Sequence, residues 1–191
     1  RVHTPESAVA KPSALILALH GWTQTKEWAC EAMLEPHAEQ LKFIAVCPQG
    51  MVAPGLSTGW NTNEEDFPSD WKADDLGFIR SLITELVDES GVAADKVFAF
   101  GFSFGAGMTY RLSCELGDLI HGFAVSGMPW EKDASGLGMP FHDNCASSRP
   151  HWAGSGTRDG FFSIEQMEGG WATYAEDVMG CVPASRVVSH E

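Results

Sequence analysis

Five short apolar runs, at residues 13–21, 42–50, 95–100, 119–127 and 150–160, are separated by segments of helical spacing. Each run is too short for a buried helix and reads as a buried strand, the last running into a turn. Between them, Leu76, Ile79, Leu82, Ile83, Leu86 and Val87 recur at three- and four-residue steps and predict a helix over 69–91. Residues 104–116 and 163–180 also predict helices, the latter weakened by Gly169 and Gly170. Residues 26–41 have helical spacing interrupted by Pro36, which predicts a break or restart near Glu35. Strands alternating with helices predict an α/β fold, a mostly parallel sheet with helices on both faces. No repeat, linker or low-complexity tract divides the chain, so a single domain over residues 1–191 is expected. Residues 51–69, rich in Gly, Pro, Ser, Thr and Asn, read as a long loop of the kind that carries function.

The formal net charge of −14 argues against nucleic acid or an anionic membrane surface as a partner. No run reaches the ~18 apolar residues that a membrane span needs. Five cysteines, none in a CxxC arrangement, argue against a structural zinc site. Cys114, Cys145 and Cys181 are the candidates for one or two disulfides, with the pairing left open.

Gly101-Phe102-Ser103-Phe104-Gly105 fits G-x-S-x-G, and it lies between a predicted strand and a predicted helix. That context makes it a nucleophile elbow, a sharp turn that lifts one hydroxyl above the sheet. The positions two residues either side must lack bulk, which Gly101 and Gly105 satisfy. Neither G-x-G-x-x-G nor a P-loop lysine is present, so phosphate binding explains these glycines less well. The Phe104 amide is one expected oxyanion donor. The second is the Trp22 amide, after the strand ending in "LHGW" at 19–22. His20 precedes the serine and is read as a structural residue holding that loop. Asp74 and Asp75 are read as first-turn carboxylates of a helix, one of them a buried acceptor.

The segments "LHGWTQT", "PQG", "GWN", "DDLGFI" and "GFSFGAGMTYRLSCEL" together resemble the polyhydroxybutyrate depolymerase, feruloyl esterase and acetylxylan esterase group of α/β-hydrolases. The likeness covers roughly residues 13–130 and loosens toward 181. It implies the α/β-hydrolase sheet and serine-dependent hydrolysis of a small-molecule or polymeric ester. It also implies no metal or cofactor and an extracellular setting. Phe104 departs from the small polar residue common in that group, which points to a narrowed acyl pocket.

In this fold the chain order is serine, acid, histidine. Asp159, in "GTRDG" at the turn that ends the fifth run, is the expected acid, and the resemblance places the group's acid at the same element. Asp133 and Asp143 are weaker candidates, because both precede that run. Among seven histidines only His190 follows Asp159, and it sits within an apolar run rather than on a loop. The resemblance puts the base histidine further along, and residues 1–5 look like the tail of a strand. The expectation is therefore a fragment of a longer chain, with its base beyond residue 191. Of the aromatics near element ends, Trp60 is the expected pocket member, because it lies in the long loop and matches the group's "GWN". A non-catalytic relative that binds a ligand, or a peptidase or thioesterase using the same residues, are the alternatives. Oligomeric state is not legible in the sequence.

Overall fold

A computed structural model describes residues 1–8, 10–52, 57–62, 73–130, 145 and 149–180. The predicted apolar runs form strands β2 (Leu15–Leu19), β3 (Ile44–Val46), β4 (Val97–Phe102), β5 (Phe123–Ser126) and β6 (His151–Gly154). A short β1 (Val2–His3) precedes them, and the sheet order is β1-β3-β2-β4-β5-β6. Only β1 is antiparallel, on β3. The pairs β2–β3, β2–β4, β4–β5 and β5–β6 are parallel, so their C-terminal ends open on one edge. Ligand sites of such sheets form at that edge.

Alternation along the strands sorts the core by face. Leu15, Leu17, Leu19, Val97 and Ala99 meet Ile79 and Ile83 of α3 (Asp75–Ser90) and Met108 and Leu112 of α4 (Phe104–Glu115). The opposite face carries smaller residues, Ala18 and Ala45, under Ala29, Cys30, Leu34 and Ala38. These belong to α1 (Lys26–Ala29), a π-helical turn over Cys30–Leu34, and α2 (Glu35–Leu41). Helices thus cover both faces, as predicted.

A new helix, α2, starts at Glu35 as predicted, with no gap in the helical course before it. That course widens ahead of Pro36, with the Glu35 N–H donating to the Cys30 carbonyl five residues back. Pro36 then falls in the first turn of α2, where a missing N–H leaves no ladder bond unmade. The helix predicted from residue 69 begins later, because the Asp74 carboxylate caps α3 by accepting from the Gly77 N–H at 2.8 Å. Gly91, at φ 69°, ends it. The last helix, α5 (Ile164–Asp177), starts on a reciprocal cap between Ser163 and Gln166. Two disulfides form: Cys114–Cys145, within the expected set, and Cys30–Cys47, which was not foreseen. Cys181 lies outside the described residues.

His151 of β6 sits in an aromatic cage. Its ring stacks on Tyr110 at 5.4 Å and lies 4.6 Å from Tyr174 and 5.5 Å from Trp171. Both ring nitrogens are buried, with no hydrogen-bond partner among the described residues. Burial pushes its pKa down to about 3, so the folded protein holds it neutral. The unfolded chain takes up a proton below pH ~6.5. Stability is therefore lost as pH falls from ~6.5 toward 3 and levels off below. We expect His151→Phe to lose about 2 kcal/mol less than wild type between pH 7 and pH 4.5, read from urea midpoints at the two pH values.

Candidate active site

Strand β4 ends at Phe102 and α4 begins at Phe104, so the whole reversal falls on Ser103. Its backbone sits at φ 52°, ψ −121°. A non-glycine residue held there costs about 1–3 kcal/mol and persists only when its surroundings fix it. The Ser103 N–H donates to the Ser126 carbonyl at 2.8 Å, and the Ser103 carbonyl accepts from the Ala106 N–H at 2.7 Å. A Cβ on Gly101 would overlap the Gly105 carbonyl and the Thr109 hydroxyl. One on Gly105 would overlap the Leu19 carbonyl and stand 2.7 Å from the His20 oxygen. Serine is a favoured N-cap, yet its hydroxyl makes no capping bond here. The turn holds that hydroxyl away from the use its position would normally give it.

The loop after β2 faces the elbow. A Cβ placed on Gly21 would lie 3.2 Å from the Ser103 Cβ. The Trp22 ring meets the Phe104 ring edge-on, centroids 5.2 Å apart. His20 is fully buried, and burial lowers its pKa, so it is neutral. Its Nδ1–H donates to the Gly21 carbonyl at 2.8 Å, and its Nε2 accepts from the Gly50 N–H at 3.0 Å. Because a trans peptide is planar, fixing the Gly21 carbonyl also fixes the direction of the Trp22 N–H. His20 thus holds the loop, as expected. Sequence reading missed Thr23, a β-branched residue at φ 66° whose N–H donates to the Thr58 carbonyl at 3.0 Å. No local signal announces that strain.

Trp60 requires a correction. It is fully buried in the core, and its indole N–H donates to the His20 carbonyl at 2.8 Å. Its place is beneath the loop rather than lining an opening. Asn61 beside it donates from its backbone to Asp75 Oδ2 at 2.6 Å. Burial pushes the Asp75 carboxyl up, against the pull of that amide and of Arg111.

Asp159 follows β6 on a tight turn. Its Oδ1 accepts from the Phe161 and Phe162 N–H groups at 2.8 and 3.1 Å, and its Oδ2 accepts from Ser155 Oγ at 3.3 Å. The Phe161 amide, then the Phe162 amide and the Ser155 hydroxyl, hold the carboxyl below its ordinary range. Two donors occupy Oδ1, which leaves Oδ2 the freer oxygen. A Cβ on Gly127 would lie 3.7 Å from that oxygen and 3.1 Å from the Phe102 ring. Gly127 follows Ser126, whose carbonyl receives the Ser103 N–H. Ser103 and Asp159 therefore flank one short stretch at the end of β5.

No described histidine hydrogen-bonds to Ser103 or Asp159. His190, Asp133 and Asp143 lie outside the described residues. Met128, Trp130 and Phe162 are core, whereas Phe161 is 82% exposed beside Asp159. Trp28, on α1, meets the Phe102 ring at 5.6 Å. Among the described residues no cluster of His, Cys, Asp or Glu is placed to hold a metal ion, and no helix is long and apolar enough to cross a membrane.

No protein-family model matches the chain. It is 30% identical over 95 residues to feruloyl esterase B of Piromyces equi, covering 50% of this chain and 16% of that protein. It is 26% identical over 176 residues to the bifunctional acetylxylan esterase/xylanase XynS20E of Neocallimastix patriciarum, covering 92% of this chain and 23% of that one. The chain thus spans less than a quarter of the length of these curated relatives. Among solved structures it matches esterase PE8 with a TM-score of 0.62 at 18% identity, over 88% of this chain and 79% of that one. The chain carries the α/β-hydrolase fold, and the curated relatives it matches are named as esterases of the feruloyl and acetylxylan kinds.

Proposed function

We propose that the protein is a carboxylic ester hydrolase working through an acyl-enzyme on Ser103. The observation that carries this is the backbone of Ser103, strained at φ 52° between β4 and α4, with its hydroxyl excluded from capping. Ser103 Oγ attacks the ester carbonyl carbon while its proton passes to a histidine supplied from outside the described residues. The carbonyl oxygen becomes an oxyanion facing the amides of Trp22 and Phe104. Collapse breaks the carbon–oxygen bond, and the leaving alcohol takes the proton back. Water then repeats the sequence on the acyl-enzyme and frees the acid. Asp159 orients the imidazole through its freer oxygen. The names of the relatives favour feruloyl or acetyl esters over the polyester in the sequence resemblance. Two disulfides suit an oxidising, extracellular setting.

The test is a panel of p-nitrophenyl acetate, methyl ferulate and a hydroxybutyrate oligomer on the full natural protein. Turnover of the first two above the third is expected, and turnover of none would overturn the reading. Asp159→Asn should lower kcat by about 10³–10⁴-fold, because the imidazole loses the partner that sets its tautomer. A steady-state assay of that variant at pH 7–8 checks it.

A further inference from the structure

Behind the loop that faces Ser103 runs a series of mostly buried hydrogen bonds, joined through the main chain at Trp60–Asn61, that no step of acyl transfer uses. Arg111 of α4 donates from Nη1 to the Asn61 carbonyl at 2.7 Å and from Nε to Glu115 at 2.9 Å. Asn61 donates from its backbone to Asp75 at 2.6 Å and from Nδ2 to the Ala73 carbonyl at 2.9 Å. These bonds fix the main chain that carries Trp60. Its indole lies 4.9 Å from the His20 ring and donates to the His20 carbonyl at 2.8 Å. On its other side Gly105 packs so closely that an added Cβ would stand 2.7 Å from that oxygen. Asn61, Asp75 and Arg111 are 6%, 4% and 7% exposed. Burying opposite charges this deeply costs several kcal/mol unless hydrogen bonds offset it. Such a cost is hard to account for beneath a loop with no positional demand.

We propose that Trp60 is a positioning residue for the oxyanion site: its indole N–H, anchored through Asn61 to Asp75 and Arg111, locks the peptide plane at His20–Gly21. The inference rests on the ester-hydrolase reading above. Because Arg111 and Ser103 belong to the same helical segment, the series ties the oxyanion loop to the nucleophile as one unit. A small misplacement of the loop would lengthen the bond from the Trp22 amide to the oxyanion, which grows only in the transition state.

The test is Trp60→Phe in the full natural protein, which removes the N–H and keeps an aromatic ring. We expect kcat on p-nitrophenyl acetate to fall about tenfold to a hundredfold, with KM changed less than about twofold. Affinity for a trifluoromethyl ketone, which mimics the oxyanion, should fall in step. Hydrogen exchange of the peptide spanning residues 20–24 should quicken. If Trp60→Phe does not fold, Arg111→Lys, which loses the grip on the Asn61 carbonyl, is read by the same three measurements. A folded variant with lowered Tm but wild-type kcat, inhibitor affinity and exchange overturns the proposal. Ser103→Ala separates the two levels. If it is inactive while Trp60→Phe behaves as wild type, only the positioning role fails. If it stays active, the ester-hydrolase reading itself fails.

Discussion

Ser103→Ala is expected to lower kcat/KM on an activated ester by about 10⁴-fold or more while leaving the fold intact. The hydroxyl makes no capping bond, and the bonds that hold the turn come from the backbone of residue 103. Removing Oγ therefore takes away the attacking atom and almost nothing structural. Ser103→Gly makes the same point from the other side. Glycine adopts φ 52° without penalty, so this variant should be more stable than wild type by about 1 kcal/mol and equally inactive. A residue that costs stability where it stands is expected at a working site. Urea denaturation alongside ester turnover checks both halves.

Gly105→Ala is expected to be among the most damaging single-methyl changes in the described core. The new Cβ would overlap the Leu19 carbonyl and press on the His20 oxygen, both backbone atoms. Neither moves without shifting the end of β2 and the loop that faces Ser103. We expect about 3 kcal/mol of lost stability and about a hundredfold lower kcat. Gly169→Ala is the matched control. It lies inside α5 with nothing near its missing Cβ, so alanine should stabilise the helix by about 0.5–1 kcal/mol. Melting curves of the two variants should move in opposite directions.

The strands were legible because each is a short apolar run between helical segments. The sharp turn at Ser103 was legible because it needs glycines at fixed offsets, and the turn that carries Asp159 because a Gly-rich stretch follows a strand there. What escaped depends on contacts between distant segments. Cys30 and Cys47 pattern like ordinary core residues, and only the packing of the π-helical turn on the end of β3 brings them together. Trp60 sits in a polar, glycine-rich stretch that looks like an open loop. It is buried because Asp75 and Arg111, on two later helices, bind the neighbouring Asn61. The strained backbone of Thr23 goes with a bond to the distant Thr58, which no pattern around residue 23 reveals. The base histidine stayed open for a plainer reason: only one candidate follows Asp159, and it falls outside the described residues.

Labelling the full natural protein with a fluorophosphonate, then mapping the adduct by peptide mass spectrometry, tests the central claim most directly. The account predicts a single phosphonylated serine at position 103, its rate of labelling sharply reduced in Asp159→Asn. An unmodified Ser103, or an adduct on another serine while 103 stays free, would contradict it.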